Sequence, residues 1–150
     1  MFSPPRLGQR ADIALLALRL VVGVAFVLHG YPKIQHPLTW MSSFVPGTPA
    51  FLQAIAAFAE FGGGIALIVG FVTPLFAFLI ACNMLVAIFV VLIPHGAVFV
   101  SEDPAKPSFE LALVYLVCAV TLILIGAGAY SIDAARSSRE RPMPTRSRRR

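Results

Sequence analysis

The sequence predicts an all-α integral membrane protein, a four-transmembrane-helix antiparallel bundle with both termini cytoplasmic. Three observations lead there. Mean hydropathy is +0.83, with 58% hydrophobic and only 13% charged residues, where a soluble globule carries about a quarter charged. Four apolar runs have the length of bilayer-crossing helices, roughly 17–25 residues. Lysine and arginine are unevenly placed: Arg6 and Arg10 precede the first run, seven arginines lie from Arg136 to Arg150, and the opposite loops hold only Lys33 and Lys106. The positive-inside rule then assigns both tails to the cytoplasm. A chain of 150 residues is about one domain.

Residues 1–12 form a polar cytoplasmic lead. The arginines before the first run resemble a signal peptide, but Arg19 interrupts the run, no small-x-small cleavage site follows, and further spans come later, so a retained helix is expected. The membrane domain covers residues 13–133. Span one runs from about Ile13 to Gly30. The loop from Tyr31 to Ala50 contains Pro32, Pro37, Pro46 and Pro49, and Pro32 is placed to end the first helix. Within the loop, Ile34, Leu38, Trp40, Met41 and Phe44 suit a short amphipathic helix in the interface, with Trp40 as anchor. Span two runs from about Phe51 to Phe71, and the turn at Val72, Thr73 and Pro74 folds span three, Leu75 to Ile93, back against it. Pro94 to Pro107 is an outer loop, and span four runs from Ser108 to Ala129. Residues 134–150 read as a basic, disordered cytoplasmic tail.

The stretch from Ala54 to Gly70 organises the rest. It is apolar but carries Glu60, followed by Gly62, Gly63 and Gly64. A carboxylate at that depth costs a few kcal/mol and must face protein and find a partner; the glycines let a neighbouring helix come close. Ala59–Gly63, Gly62–Ala66 and Ala77–Ala81 are small-xxx-small pairs of the kind that pack membrane helices. Counting about 1.5 Å per residue, Arg19, Glu60 and Asn83 fall near mid-depth on three consecutive spans. They are expected to form one intramembrane cluster, with Arg19 and Glu60 as an ion pair and Asn83 beside them. A pair that only fixes helix register and a pair that serves a function both fit these residues. Nearer the outer face, His29 and Lys33 are one turn apart if the helix continues, and Glu110 stands at the start of span four, where capping is the plain alternative. No catalytic residue is assigned. His36 and His95 are loop histidines without a role.

Cys82 and Cys118 lie inside apolar runs without CxxC or metal-ligand spacing, so neither a redox dithiol nor a metal site is expected. An apolar span disfavours the thiolate, and both are read as reduced and inert. A net charge of +5 concentrated in a tail points to anionic lipid rather than nucleic acid.

The motifs LRL around Arg19, HGYPK at His29–Lys33, AEFGGG ending at Gly64, GFVTP at Gly70–Pro74 and GAGAYSID at Gly126–Asp133 together resemble the DoxX family of bacterial membrane proteins. The resemblance covers about Ile13 to Asp133. It implies a four-helix fold in the bacterial inner membrane and a loose association with redox chemistry, the family name coming from a subunit of a thiosulfate:quinone oxidoreductase. It hands over no catalytic residue. A small subunit or scaffold of a membrane redox or oxidative-stress assembly ranks first, with other proteins as redox partners. An oxidoreductase acting alone ranks second and a small transporter third, since four spans without repeats or broken helices argue against transport. No cofactor is fixed by motif; a quinone head group fits His29, Glu60 and Arg19, and the oligomeric state stays open.

Overall fold

A computed structural model describes residues 8–139, which are helical apart from turns and one isolated bridge between Val98 and Ser108. Helix α1 spans Gln9–Gln35 and α2 spans Ala50–Val69. Helix α3, Thr73–Val86, continues through a π-helical segment, Ala87–Leu92, and a single 3-10 turn, Ile93–His95. Helix α4 spans Glu110–Ile125 and α5 spans Ile132–Arg139. The first, second and third units, of 27, 20 and 23 residues, are long and apolar enough to cross a membrane; α4 is apolar but shorter.

Small residues bring α1 and α2 together. A Cβ on Gly23 would stand 2.8 Å from the Gly64 carbonyl, one on Gly64 would stand 2.7 Å from the Gly23 carbonyl, and one on Gly30 would stand 2.5 Å from the Phe61 nitrogen. The two backbones therefore touch, and any larger side chain would prise them apart. Gly63 instead faces Ile80 of α3, so successive glycines serve two neighbours. Leu15, Val22 and Phe26 of α1 join Leu67, Ala77, Ile80, Met84, Ala119 and Leu122 in one core. Large apolar side chains cover the outside, Val21 being 70% and Leu124 77% exposed. That is the arrangement lipid rewards and water does not.

Three expectations about elements are corrected. Helix α1 passes through Pro32 and ends at Gln35, because the neighbouring helix and loop support the turn that proline weakens. The loop after it makes successive helical turns, with Thr39 and Trp40 N–H groups on the His36 carbonyl and Phe44 and Val45 on the Met41 carbonyl, without joining into an interfacial helix. The tail read as disordered from residue 134 is helical to Arg139; residues 140–150 lie outside the described residues.

The turn between α2 and α3 is tight. Gly70 closes α2 at φ +69°, and the Phe71 N–H returns to the Ala66 carbonyl at 2.9 Å, the six-to-one bond of a Schellman ending. Val72 follows at φ +45°, a costly conformation for a β-branched residue. Helix α3 supplies no capping side chain of its own. Asp133 does so from the far end of the chain, its carboxylate accepting from Val72 N–H at 2.7 Å and Thr73 N–H at 2.9 Å, while its own N–H donates to the Gly70 carbonyl at 3.0 Å. A carboxylate on helix-start donors satisfies them and opposes the helix dipole.

Candidate functional site

Polar side chains inside the bundle fall into two separate groups. In the first, Arg19 is fully buried, at 0% exposure. Its guanidinium donates to the Leu67 carbonyl at 3.2 Å and to the Tyr130 carbonyl. Leu67 belongs to the last turn of α2, where its carbonyl also accepts from the Gly70 N–H at 3.2 Å, and a cation is favoured at that helix end. A Cβ on Gly70 would meet the guanidinium, so glycine there makes room for it. Beside this, Asp12 accepts from the Ala129 N–H at 2.8 Å, and Ser131 donates to the Gly128 carbonyl at 2.7 Å while accepting from Ala134 N–H. The segment from Gly126 to Asp133 thus clasps the start of α1 and the α2–α3 turn.

The second group lies toward the other end. Lys33 Nζ is 2.5 Å from Glu60 Oε1, and Asn83 Nδ2 donates to the same oxygen at 2.6 Å. The Lys33 ammonium also sits 4.4 Å from the centre of the Trp40 ring. Glu60 is 2% exposed, and its Oε2 has no hydrogen-bond partner. Trp40 is held in turn: its indole N–H donates to the Gln53 carbonyl at 2.9 Å. The buried Gln53 side chain accepts from Met41 N–H at 2.9 Å and donates to the Thr48 carbonyl at 3.0 Å. One glutamine therefore fixes the loop over the cluster.

The expected Arg19–Glu60 pair does not form. The register of the glycine contacts explains it. With Gly30 against Phe61 and Gly23 against Gly64, antiparallel α1 and α2 place Arg19 beside the end of α2 and Lys33 within a turn of Glu60. Leu67 and Glu60 are seven residues apart, about 10 Å along the axis. Arginine reaches outward to carbonyls at and beyond the end of α2, and the cation at Glu60 is the lysine carried there by the continuation of α1 past Pro32. Asn83 does meet Glu60. His29 shares the cluster's walls, with its ring 6.3 Å from that of Tyr115. Glu110 is exposed and stays apart, its N–H donating to Ser108 Oγ at 3.1 Å. Gln53 stands in the sequence as a single amide in an apolar run, and no local pattern announces it or the capping by Asp133. Among the described residues both cysteines are free thiols, Cys82 on the exposed surface.

Two recesses adjoin the Glu60 cluster. One, of about 360 Å³, is walled by the cluster together with Trp40, Phe44, Val86 and Val91. The other, of about 230 Å³, lies among α1, α3 and α4, against Phe26, Met84, Leu111 and Tyr115. His29, Lys33, Glu60, Ala87 and Leu92 belong to both. Ala87 and Leu92 bound the π-helical segment, a form that is rare and recurs at functional sites.

Helices long enough to cross a bilayer, an apolar exterior, and Arg19 and Glu60 turned into the interior of their helices define a multi-pass helical membrane protein in contact with lipid. The chain belongs to the DoxX family, whose model matches residues 14–93. It is 33% identical over 122 residues to an "Uncharacterized protein" of Haemophilus influenzae, covering 79% of this chain and 87% of the relative. It is 29% identical over 123 residues to "Inner membrane protein YqjF" of Escherichia coli, covering 81% and 91%. Identity to the "Putative oxidoreductase CatD" of Bacillus subtilis is 26% over 128 residues, 85% of this chain and 90% of the relative. No solved structure matches. The chain is accordingly a multi-pass protein of the bacterial inner membrane.

Proposed function

We propose that this protein is a small subunit or scaffold of a membrane redox or oxidative-stress assembly, and that Lys33, Glu60, Asn83 and His29 hold the polar head of a quinone-class molecule. The observation that carries the reading is the ion pair of Lys33 and Glu60 set in the shared wall of two recesses of about 360 and 230 Å³. Small-molecule sites combine apolar walls of this scale with a few convergent polar groups. The oxidoreductase name of the Bacillus relative supports the redox side. Electron-carrying groups belong to partner proteins in this reading. The membrane domain is residues 13–133, a four-span bundle in which α4 is extended by the segment after Gly126, and both tails are cytoplasmic.

Purification in mild detergent, followed by solvent extraction and mass spectrometry, tests the site. A quinone co-purifying in stoichiometric amount is the expected result. Trp40, the sole tryptophan, lines the larger recess, so a short-tailed quinone added to the protein should quench its fluorescence saturably. Absence of both co-purification and saturable quenching would overturn the reading. Quinol turnover by the isolated chain would favour an oxidoreductase acting alone, as the Bacillus name also allows. For topology, cysteines introduced at Ser43 and Ser138 should be labelled from the periplasm and the cytoplasm respectively; periplasmic labelling at 138 would overturn the orientation.

A further inference from the structure

We infer that the site prefers the reduced, hydroxyl-bearing form of its ligand, a quinol, over the quinone. The inference rests on the quinone-class reading above and adds a direction to it. A carboxylate only accepts hydrogen bonds and has room for about four. On Glu60 the two donors present, Lys33 Nζ at 2.5 Å and Asn83 Nδ2 at 2.6 Å, both go to Oε1. Oε2 is buried and receives none. A buried acceptor without a donor is destabilising, and a group that supplies one is rewarded.

Two other buried polar atoms lack partners, Arg19 Nε and Thr73 Oγ1. Neither of those residues lines the two recesses, whereas Glu60 lines both. The terminal torsion of glutamate is soft, so its carboxylate can adjust to a donor presented in a recess that Glu60 lines. There a quinone carbonyl would set acceptor against acceptor. A quinol hydroxyl donates to Oε2, the oxygen that neither Lys33 nor Asn83 occupies. Lys33 keeps N–H donors beyond the one given to Glu60, and these serve the oxygen of either form, so the contact that differs between the two forms is the one to Glu60. Tighter binding of the reduced form makes the bound quinone a stronger oxidant, by about 30 mV for each tenfold of preference in a two-electron couple.

The test is anaerobic calorimetry on the full chain in detergent, with a decyl-tailed benzoquinone, its quinol and the dimethyl ether of that quinol. The ether keeps the shape of the quinol but has no donor. The expected result is about tenfold tighter binding of the quinol than of either other compound, the weight of one hydrogen bond to a charged acceptor. In Glu60→Gln an amide N–H₂ takes the place of one oxygen, and the preference should vanish or invert. Equal affinity for quinol and ether, as when water serves Oε2, or tighter binding of the quinone, overturns the inference and leaves the quinone-class reading standing. If none of the three binds, that reading falls and the inference with it. The comparison of three ligands on the unaltered chain decides the matter even if the variant fails to accumulate.

Discussion

At the end of the bundle where Gln9 and Arg139 lie, polar side chains spend their hydrogen bonds on backbone. Arg19 takes the carbonyls of Leu67 and Tyr130, Asp133 takes the N–H groups of Val72 and Thr73, and Asp12 takes that of Ala129. At the other end Lys33, Glu60 and Asn83 bond to one another beside two recesses, and one carboxylate oxygen is left over. Each end leaves buried polar atoms without partners, Arg19 Nε and Thr73 Oγ1 at the first and Glu60 Oε2 at the second, but the first uses its charges to complete helix termini, whereas the second sets its unpartnered residue in the walls of two recesses. Backbone partners cannot leave, so the first end is a fastening. Side-chain partners can rearrange around a guest, so the second is where binding is cheapest to accommodate.

The division predicts graded effects. Arg19→Gln should be the most damaging, at about 3–5 kcal/mol, since two hydrogen bonds from a buried charged donor are lost and the Tyr130 carbonyl loses the guanidinium that serves it. Thermal aggregation of detergent-purified protein would measure it. The fraction that folds should keep its Trp40 response to quinone, and loss of that response in folded protein would break the separation of the ends. Asp133→Ala should cost about 1–2 kcal/mol, the value of a helix cap, again without altering the Trp40 response. Glu60→Gln should cost about 1 kcal/mol or less in stability, because Lys33 is 25% exposed and an exposed cation regains solvent. Its losses should add to those of Arg19→Gln within about 0.5 kcal/mol, as for sites without shared partners. By contrast, Lys33→Met and Glu60→Gln should not add. Strong coupling between Arg19 and Glu60 in such a cycle would show that the two ends act as one. The smallest effect belongs to Cys82→Ala with Cys118→Ala, which should leave both accumulation and quinone response unchanged.

The helices were legible because apolar length and glycine placement are local properties. The positions of the three long helices follow from runs between prolines and charged loops, and the close approach at Gly63 and Gly64 follows from residues without side chains. Pairing was less legible. Depth counted from each helix end placed Arg19 and Glu60 near one level, but the register of α1 on α2 is set by Gly23 and Gly30 meeting Gly64 and Phe61, a contact between segments distant in sequence. Pro32 hid the answer further, since a helix stopped there would carry Lys33 away from Glu60. HGYPK did hold the signal: on a helix that continues, His29 and Lys33 share a face. Gln53 was the hardest to read, because its value comes from the loop folded around it and not from its neighbours in sequence.

The cap of α3 has a consequence for how the protein is made. Asp133 lies 61 residues after Val72, whose N–H it accepts. Synthesis proceeds from the N-terminus at about 5–20 residues per second, so the α2–α3 turn emerges seconds before its cap exists. During that interval the strained Val72 turn is unsupported, and the N-terminus of α3 is without its carboxylate. The nascent hairpin is therefore provisional until the segment that carries Asp133 arrives. A chain cut short before Asp133 would lose the element that locks an earlier one, and its shortened product should be cleared from the membrane although every bilayer-crossing helix is intact.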